Sequence, residues 1–140
     1  MNEKQEKGLK VFSEIMGEER ARQLADHATS GGFGADIGKR ALEYAFADTW
    51  GRPGLERKQR SFITLGMLLA LRQTLEFKNH VRIALKNGCT AKEIEELLIQ
   101  GIPYVGFPAV ASAQSVAVEV LREEGVLNSE TKTSEERGLL

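Results

Sequence analysis

Residues 55–100 read LERKQRSFITLGMLLALRQTLEFKNHVRIALKNGCTAKEIEELLIQ, and this stretch decides the fold class. Its apolar residues recur by threes and fours, the spacing of a helix face, and no part alternates with the period of a half-buried strand. The segment divides into three expected helices. One runs from about Leu55 to Arg72, amphipathic at first and then apolar on every side through Phe62, Ile63, Leu65, Met67, Leu68, Leu69 and Leu71. A second runs to Asn87, with Thr74 as N-cap and Gly88 as C-cap. Thr90-Ala91-Lys92-Glu93 has the form of a capping box and opens the third, which carries Ile94, Leu97 and Leu98 and must kink or stop at Gly101 and Pro103.

The same period extends outward on both sides. A helix is expected from Glu3 to Met16, with Leu9, Phe12, Ile15 and Met16 inward and Gly17 as its stop, then a short one from Glu18 to about Ala28. TSGGFGADIG (29–38) reads as a loop, because clustered glycines make a helix costly. Ile37, Leu42, Ala45, Phe46 and Trp50 form the face of a further helix, ended by the turn Gly51-Arg52-Pro53-Gly54. Pro108 starts a last helix through Val110, Val116, Val120 and Leu121, stopped by Gly125. The expected architecture is all-α: a single-domain bundle of about six or seven helices over residues 1–127, followed by a polar, flexible tail at 128–140.

Composition narrows the function classes. With 19 basic and 20 acidic residues the net charge is −1, and no basic face of the kind that neutralises phosphates is expected, so nucleic acid is not an expected partner. The apolar run from Phe62 to Leu71 is about half of the roughly 20 residues that a membrane span needs, so no membrane is expected either. The charged opening MNEKQEKGLK lacks the apolar centre of a signal peptide, and one cysteine, Cys89, leaves no intramolecular disulfide to form. These features set an expectation of a soluble, cytoplasmic protein. No HxH or HxxxH spacing exists, and the two histidines and one cysteine lie far apart in sequence, so no metal is expected. SGGFG lacks the lysine and hydroxyl residue of a phosphate loop.

What remains for chemistry is Glu76 and His80. At i and i+4 on one helix they share a face, and a carboxylate beside an imidazole can give and take a proton near neutrality. Other residues have plainer readings. His27 is a cation near a helix C-terminus, Glu93, Glu95 and Glu96 are a solvated first turn, and Trp50, Tyr104 and Phe107 are core. Cys89 is a bystander thiol, with no histidine near it in sequence.

Several ordered motifs carry a resemblance. Trp50-Gly51-Arg52-Pro53-Gly54-Leu55 is followed by Arg60-Ser61, the apolar run through Leu71, Glu76, and then His80-Val81-Arg82. After these come Asn87-Gly88, the helix of Glu93 and Glu96, and Tyr104-Val105-Gly106-Phe107-Pro108-Ala109. From about Ala47 to Val120 the chain resembles the carboxymuconolactone decarboxylase family, which shares the alkylhydroperoxidase D-like fold. Before that the likeness thins, and Phe12 stands where the family's lactone enzymes carry an arginine.

The resemblance implies a decarboxylase without cofactor, in which 4-carboxymuconolactone loses carbon dioxide to give 3-oxoadipate enol-lactone and the conjugated lactone is the electron sink. It implies His80 and Glu76 as the proton-transfer pair and a small carboxylate or lactone bound by Arg52, Arg60 and Arg82, with Trp50 and Tyr104 beside it. The alternative for the arginines is a surface or subunit-interface salt bridge. It also implies a homo-oligomer, trimeric or hexameric, in agreement with a fourth helix that has too much apolar surface for one stripe. The redox branch of the superfamily uses two cysteines before the histidine. Their positions fall here on Gln73 and Glu76, so thiol-based peroxide reduction is not expected. Two further readings stay open: a relative acting on another lactone or keto acid, and a non-catalytic helical scaffold.

Overall fold

The computed structural model describes residues 1–139, and among them every regular element is helical. In chain order these are α1 (Glu3–Met16), α2 (Glu18–Thr29), α3 (Ala35–Arg40), a π-helical segment (Ala41–Trp50), α4 (Arg57–Ala70), α5 (Thr74–Lys86), α6 (Ala91–Val105) and α7 (Phe107–Glu123). The expected all-α bundle is what is found. No helix among the described residues is long and apolar enough to cross a membrane. The chain forms two compact units, one of residues 1–57 and one from residue 58 onward.

In the first unit, α1 starts on a capping box absent from the expectations. The Asn2 side chain accepts from the Gln5 backbone N–H, and the Gln5 side chain accepts in turn from the Asn2 N–H. The inward seam of α1 is Gln5, Gly8, Val11 and Ile15. This corrects the expected seam: Ile15 is buried, but Leu9, Phe12 and Met16 are only half-buried. The reason is the close approach of the π-helical segment. At Gly8 any Cβ would collide with the Leu42 carbonyl, and the buried Gln5 reaches Glu43, whose carboxylate accepts from the amides of both Asn2 and Gln5. Those two hydrogen bonds hold the Glu43 carboxyl below its ordinary range.

Two boundaries in this unit differ from expectation. Helix resumes at Ala35, so Ala35–Gly38 of the expected loop is helical and the glycine loop is confined to Ser30–Gly34. Beyond Arg40 the backbone takes the wider i→i−5 pattern, as where the Gly51 N–H donates to the Phe46 carbonyl at 2.8 Å. Spacing by threes and fours implied an α-helix. The wider winding buries Leu42 and Ala47 and sets the Phe46 ring edge-on to Phe12, with centroids 4.7 Å apart, while Ile37, on α3 before it, is exposed.

In the second unit, the core joins Leu65 and Leu69 of α4, Phe77, Val81 and Ala84 of α5, Ile94 and Leu98 of α6, and Ala113, Ala117 and Val120 of α7. The Thr90–Glu93 capping box forms as expected. Thr74 does not cap α5; it is the first helical residue, and Gln73 precedes it as N-cap with no side-chain bond. α6 passes through Gly101 and Pro103 and ends at Gly106, whose φ of 87° is the left-handed region that glycine tolerates. A proline this close to a helix C-terminus removes one backbone bond where few remain to be lost. Beyond it Tyr104 and Phe107 are exposed, which corrects their assignment to the core. Arg122, in the last turn of α7, forms an ion pair with Glu136 at 2.9 Å and donates to the Thr131 carbonyl.

The approach of α1 to the π-helical segment is testable. Gly8→Ala is expected to lose about 3 kcal/mol of unfolding free energy through overpacking against backbone, although alanine gains about 1 kcal/mol in helix propensity. A urea midpoint equal to that of the wild type would remove the close contact from the account.

Candidate active site

α5 positions the candidate residues through its rotation. Phe77, Val81 and Ala84 are buried and pack with α7 in the core. Two ion pairs run beside that seam, Lys78 to Glu119 at 2.6 Å and Arg82 to Glu123 at 2.8 Å. With the seam committed to α7, Glu76 and His80 emerge on a different side of the helix. Asn87, at the C-terminal end of α5, donates from its side-chain amide to the hydroxyl of the buried Ser61 at 3.0 Å, which ties α5 to α4 one residue beyond Arg60.

His80 is half-buried and Glu76 exposed. Burial pushes the His80 imidazole below its ordinary value of 6.5, and the Glu76 charge opposes that shift. The ring is therefore uncharged at neutral pH, with a nearby anion that favours its protonation. This is the local condition for an imidazole that exchanges a proton with a bound acid.

The other expected residues are distributed. Arg82 is held by Glu123 and by the Asn79 side chain, the salt-bridge arrangement foreseen as the alternative to substrate binding. Arg60 is half-buried on α4. Tyr104 lines a groove of α4 and α6 with Phe62, Ile63 and Leu97. Trp50 and Arg52 belong to the first unit, at the end of the π-helical segment and in the turn after it. Cys89 is buried, and burial pushes its thiol above its ordinary value, the opposite of what a nucleophile needs. Ser61 and Asn87 each stand in a motif of the sequence, but their bond does not follow from it, because the two lie 26 residues apart and no local pattern joins them.

Helices throughout, with a carboxylate acting on a half-buried imidazole one turn away, define a small helical protein with a titratable pair on one helix face. Comparison with known proteins is more specific. The model of the carboxymuconolactone decarboxylase family matches residues 35–119. The chain is 34% identical to a 4-carboxymuconolactone decarboxylase of Acinetobacter baylyi over 90% of its own length and 94% of that protein's. It is 33% identical to a nitrosuccinic acid decarboxylase of Metarhizium robertsii, covering 84% and 81%. It is also 35% identical to an uncharacterised 15.0 kDa protein of Paracoccus denitrificans, covering 59% and 63%. The chain belongs to the carboxymuconolactone decarboxylase family. Two of these relatives carry decarboxylase names, which supports a carboxy-lyase.

The shift at His80 has a signed consequence for stability. The folded imidazole binds its proton less tightly than the unfolded one, so below about pH 6.5 the unfolded chain gains protons first and stability falls. His80→Gln is expected to have a shallower loss of Tm than the wild type between pH 7 and 5, the carboxylates titrating alike in both. Superimposable profiles would mean that His80 is not shifted by burial.

Proposed function

We propose that this protein decarboxylates a small lactone carboxylate, 4-carboxymuconolactone to 3-oxoadipate enol-lactone, without a cofactor. The observation that carries the reading is the alignment with the Acinetobacter baylyi enzyme over nearly the whole of both chains. The substrate provides its own electron sink. As the bond to the carboxylate breaks, its electron pair moves into the conjugated lactone, carbon dioxide departs and a dienolate remains. The protein's tasks are to bind anionic groups, to favour charge on the lactone oxygen and to return a proton to carbon. His80 delivers that proton, with Glu76 stabilising its imidazolium form. Arg60 serves the carboxylate, and Arg82 and Tyr104 enter as further substrate-binding residues by their motifs. Arg82 would then leave Glu123, a half-exposed partner whose bond is worth little.

A second substrate reading has its own support. The nitrosuccinic acid decarboxylase is almost as similar as the lactone enzyme. The two names share loss of carbon dioxide and little else of the substrate. Purified protein offered each acid separately, with carbon dioxide release followed, decides between them; release from neither overturns both.

With the substrate found, His80→Ala is expected to lower kcat by about 10²-fold or more. If protonated His80 is the acid, rate falls as pH rises through its pKa. Glu76→Gln removes the influence that raises that pKa, so the descending limb of kcat/KM should move to lower pH. An unmoved limb would take Glu76 out of the proposal.

The assembly forms part of the same proposal. Ile63 and Met67 of α4 and Leu71 just past its end, spaced by fours, are exposed together with Tyr104. A second copy covering this stripe would recover roughly 1.5–3 kcal/mol for each large side chain; closure by symmetry fits such a stripe, and the family resemblance makes a trimer or hexamer the expected form. Met67→Glu, a change at an exposed position, should leave the fold intact and reduce the mass seen in sedimentation equilibrium. A wild-type particle of 15.5 kDa at micromolar concentration would refute the assembly.

A further inference from the structure

The last turn of α4, the first turn of α5 and the start of α7 enclose a pocket that the proposed chemistry does not use. Its polar lining residues are Arg72, Thr74 and Ser112; the others are apolar, Phe77 and Ala113 among them. No carboxylate is among the described residues that line it. The lining therefore carries a fixed positive charge and hydrogen-bond donors, with no anion to neutralise them. The neighbouring helix ends add to this field. Neither α5 nor α7 has a side-chain bond at its N-cap, and the first turns of helices point N–H groups and positive potential outward.

Arg72 owes its position to the backbone. The Arg72 N–H donates to the Leu69 carbonyl and the Gln73 N–H to the Leu68 carbonyl, a Schellman closure of α4. That motif places Arg72 at φ 55°, where glycine is the usual residue. One guanidinium nitrogen donates to the Val105 carbonyl at 3.3 Å, a use for one of five donors.

We propose that this pocket binds a small organic carboxylate, held by Arg72, Thr74 and Ser112 with its short hydrocarbon body against Phe77. The site is distinct from the Glu76–His80 pair. Neither Glu76 nor His80 is among the described residues that line it. It does not depend on the protein's being a decarboxylase.

The test uses the full chain and propionate, titrated at constant ionic strength against sodium chloride, with Tm as the readout. A saturable rise is expected, about 5 °C at ten times the dissociation constant. Arg72→Gly suits the left-handed backbone and should fold, with the propionate increment abolished; Ser112→Ala should weaken binding several-fold at an unchanged Tm in chloride. No saturable rise in the wild type, a rise with phosphate alone, or an increment that survives in Arg72→Gly would each overturn the proposal.

Discussion

The seam between α5 and α7 constrains the rest of the second unit. Phe77 and Val81 are almost fully enclosed there, each worth roughly 1.5–3 kcal/mol relative to exposure. The ion pairs beside them, Lys78–Glu119 and Arg82–Glu123, are partly exposed and contribute about 0–1 kcal/mol each. Apolar burial therefore sets the rotation of α5, and the charges settle around it. Once that rotation is set, residues three and four positions apart have no freedom of direction. Glu76 and His80 share one side of the helix, Phe77, Val81 and Ala84 form the buried seam next to it, and Arg82 lies beside the α7 contact.

His80 sits between two opposed influences, and their ranking matters for chemistry. Burial favours the neutral ring and outweighs the pull of Glu76 towards the charged one. An imidazole in that balance protonates at the expense of folding free energy, so the energy that positions it is coupled to the proton it carries. The Ser61–Asn87 bond adds a mechanical element: it joins α4 to α5 near Arg60. Such a bond favours one register of the two helices, because slippage would leave the buried Ser61 hydroxyl without that partner.

The first unit solves a different packing problem. Its α1 lies so close to the π-helical segment that a glycine occupies the contact and a buried glutamine bridges to a carboxylate. Two hydrophobic surfaces with large side chains could not approach so far. Polar groups are tolerated in that seam because Glu43 accepts from both Asn2 and Gln5, and paired groups avoid the desolvation cost of isolated ones.

The sequence by itself determined the helical class, most helix limits and the Glu76–His80 pair, because these depend on near neighbours in the chain. A 3.6-residue period, the Thr90–Glu93 box, the stops at Gly17 and the shared face of residues 76 and 80 are written within a few positions. Glu3–Met16 is matched to the residue for that reason. The tertiary structure alone decided the winding of Ala41–Trp50, the inward seam of α1, the exposure of Tyr104 and Phe107, and the ion pair of Arg82. Each depends on what another helix offers at that point: backbone at Gly8, a partner for Arg82. Periodicity reports which residues can be buried. Which of them are is settled by the distance at which a second surface stops.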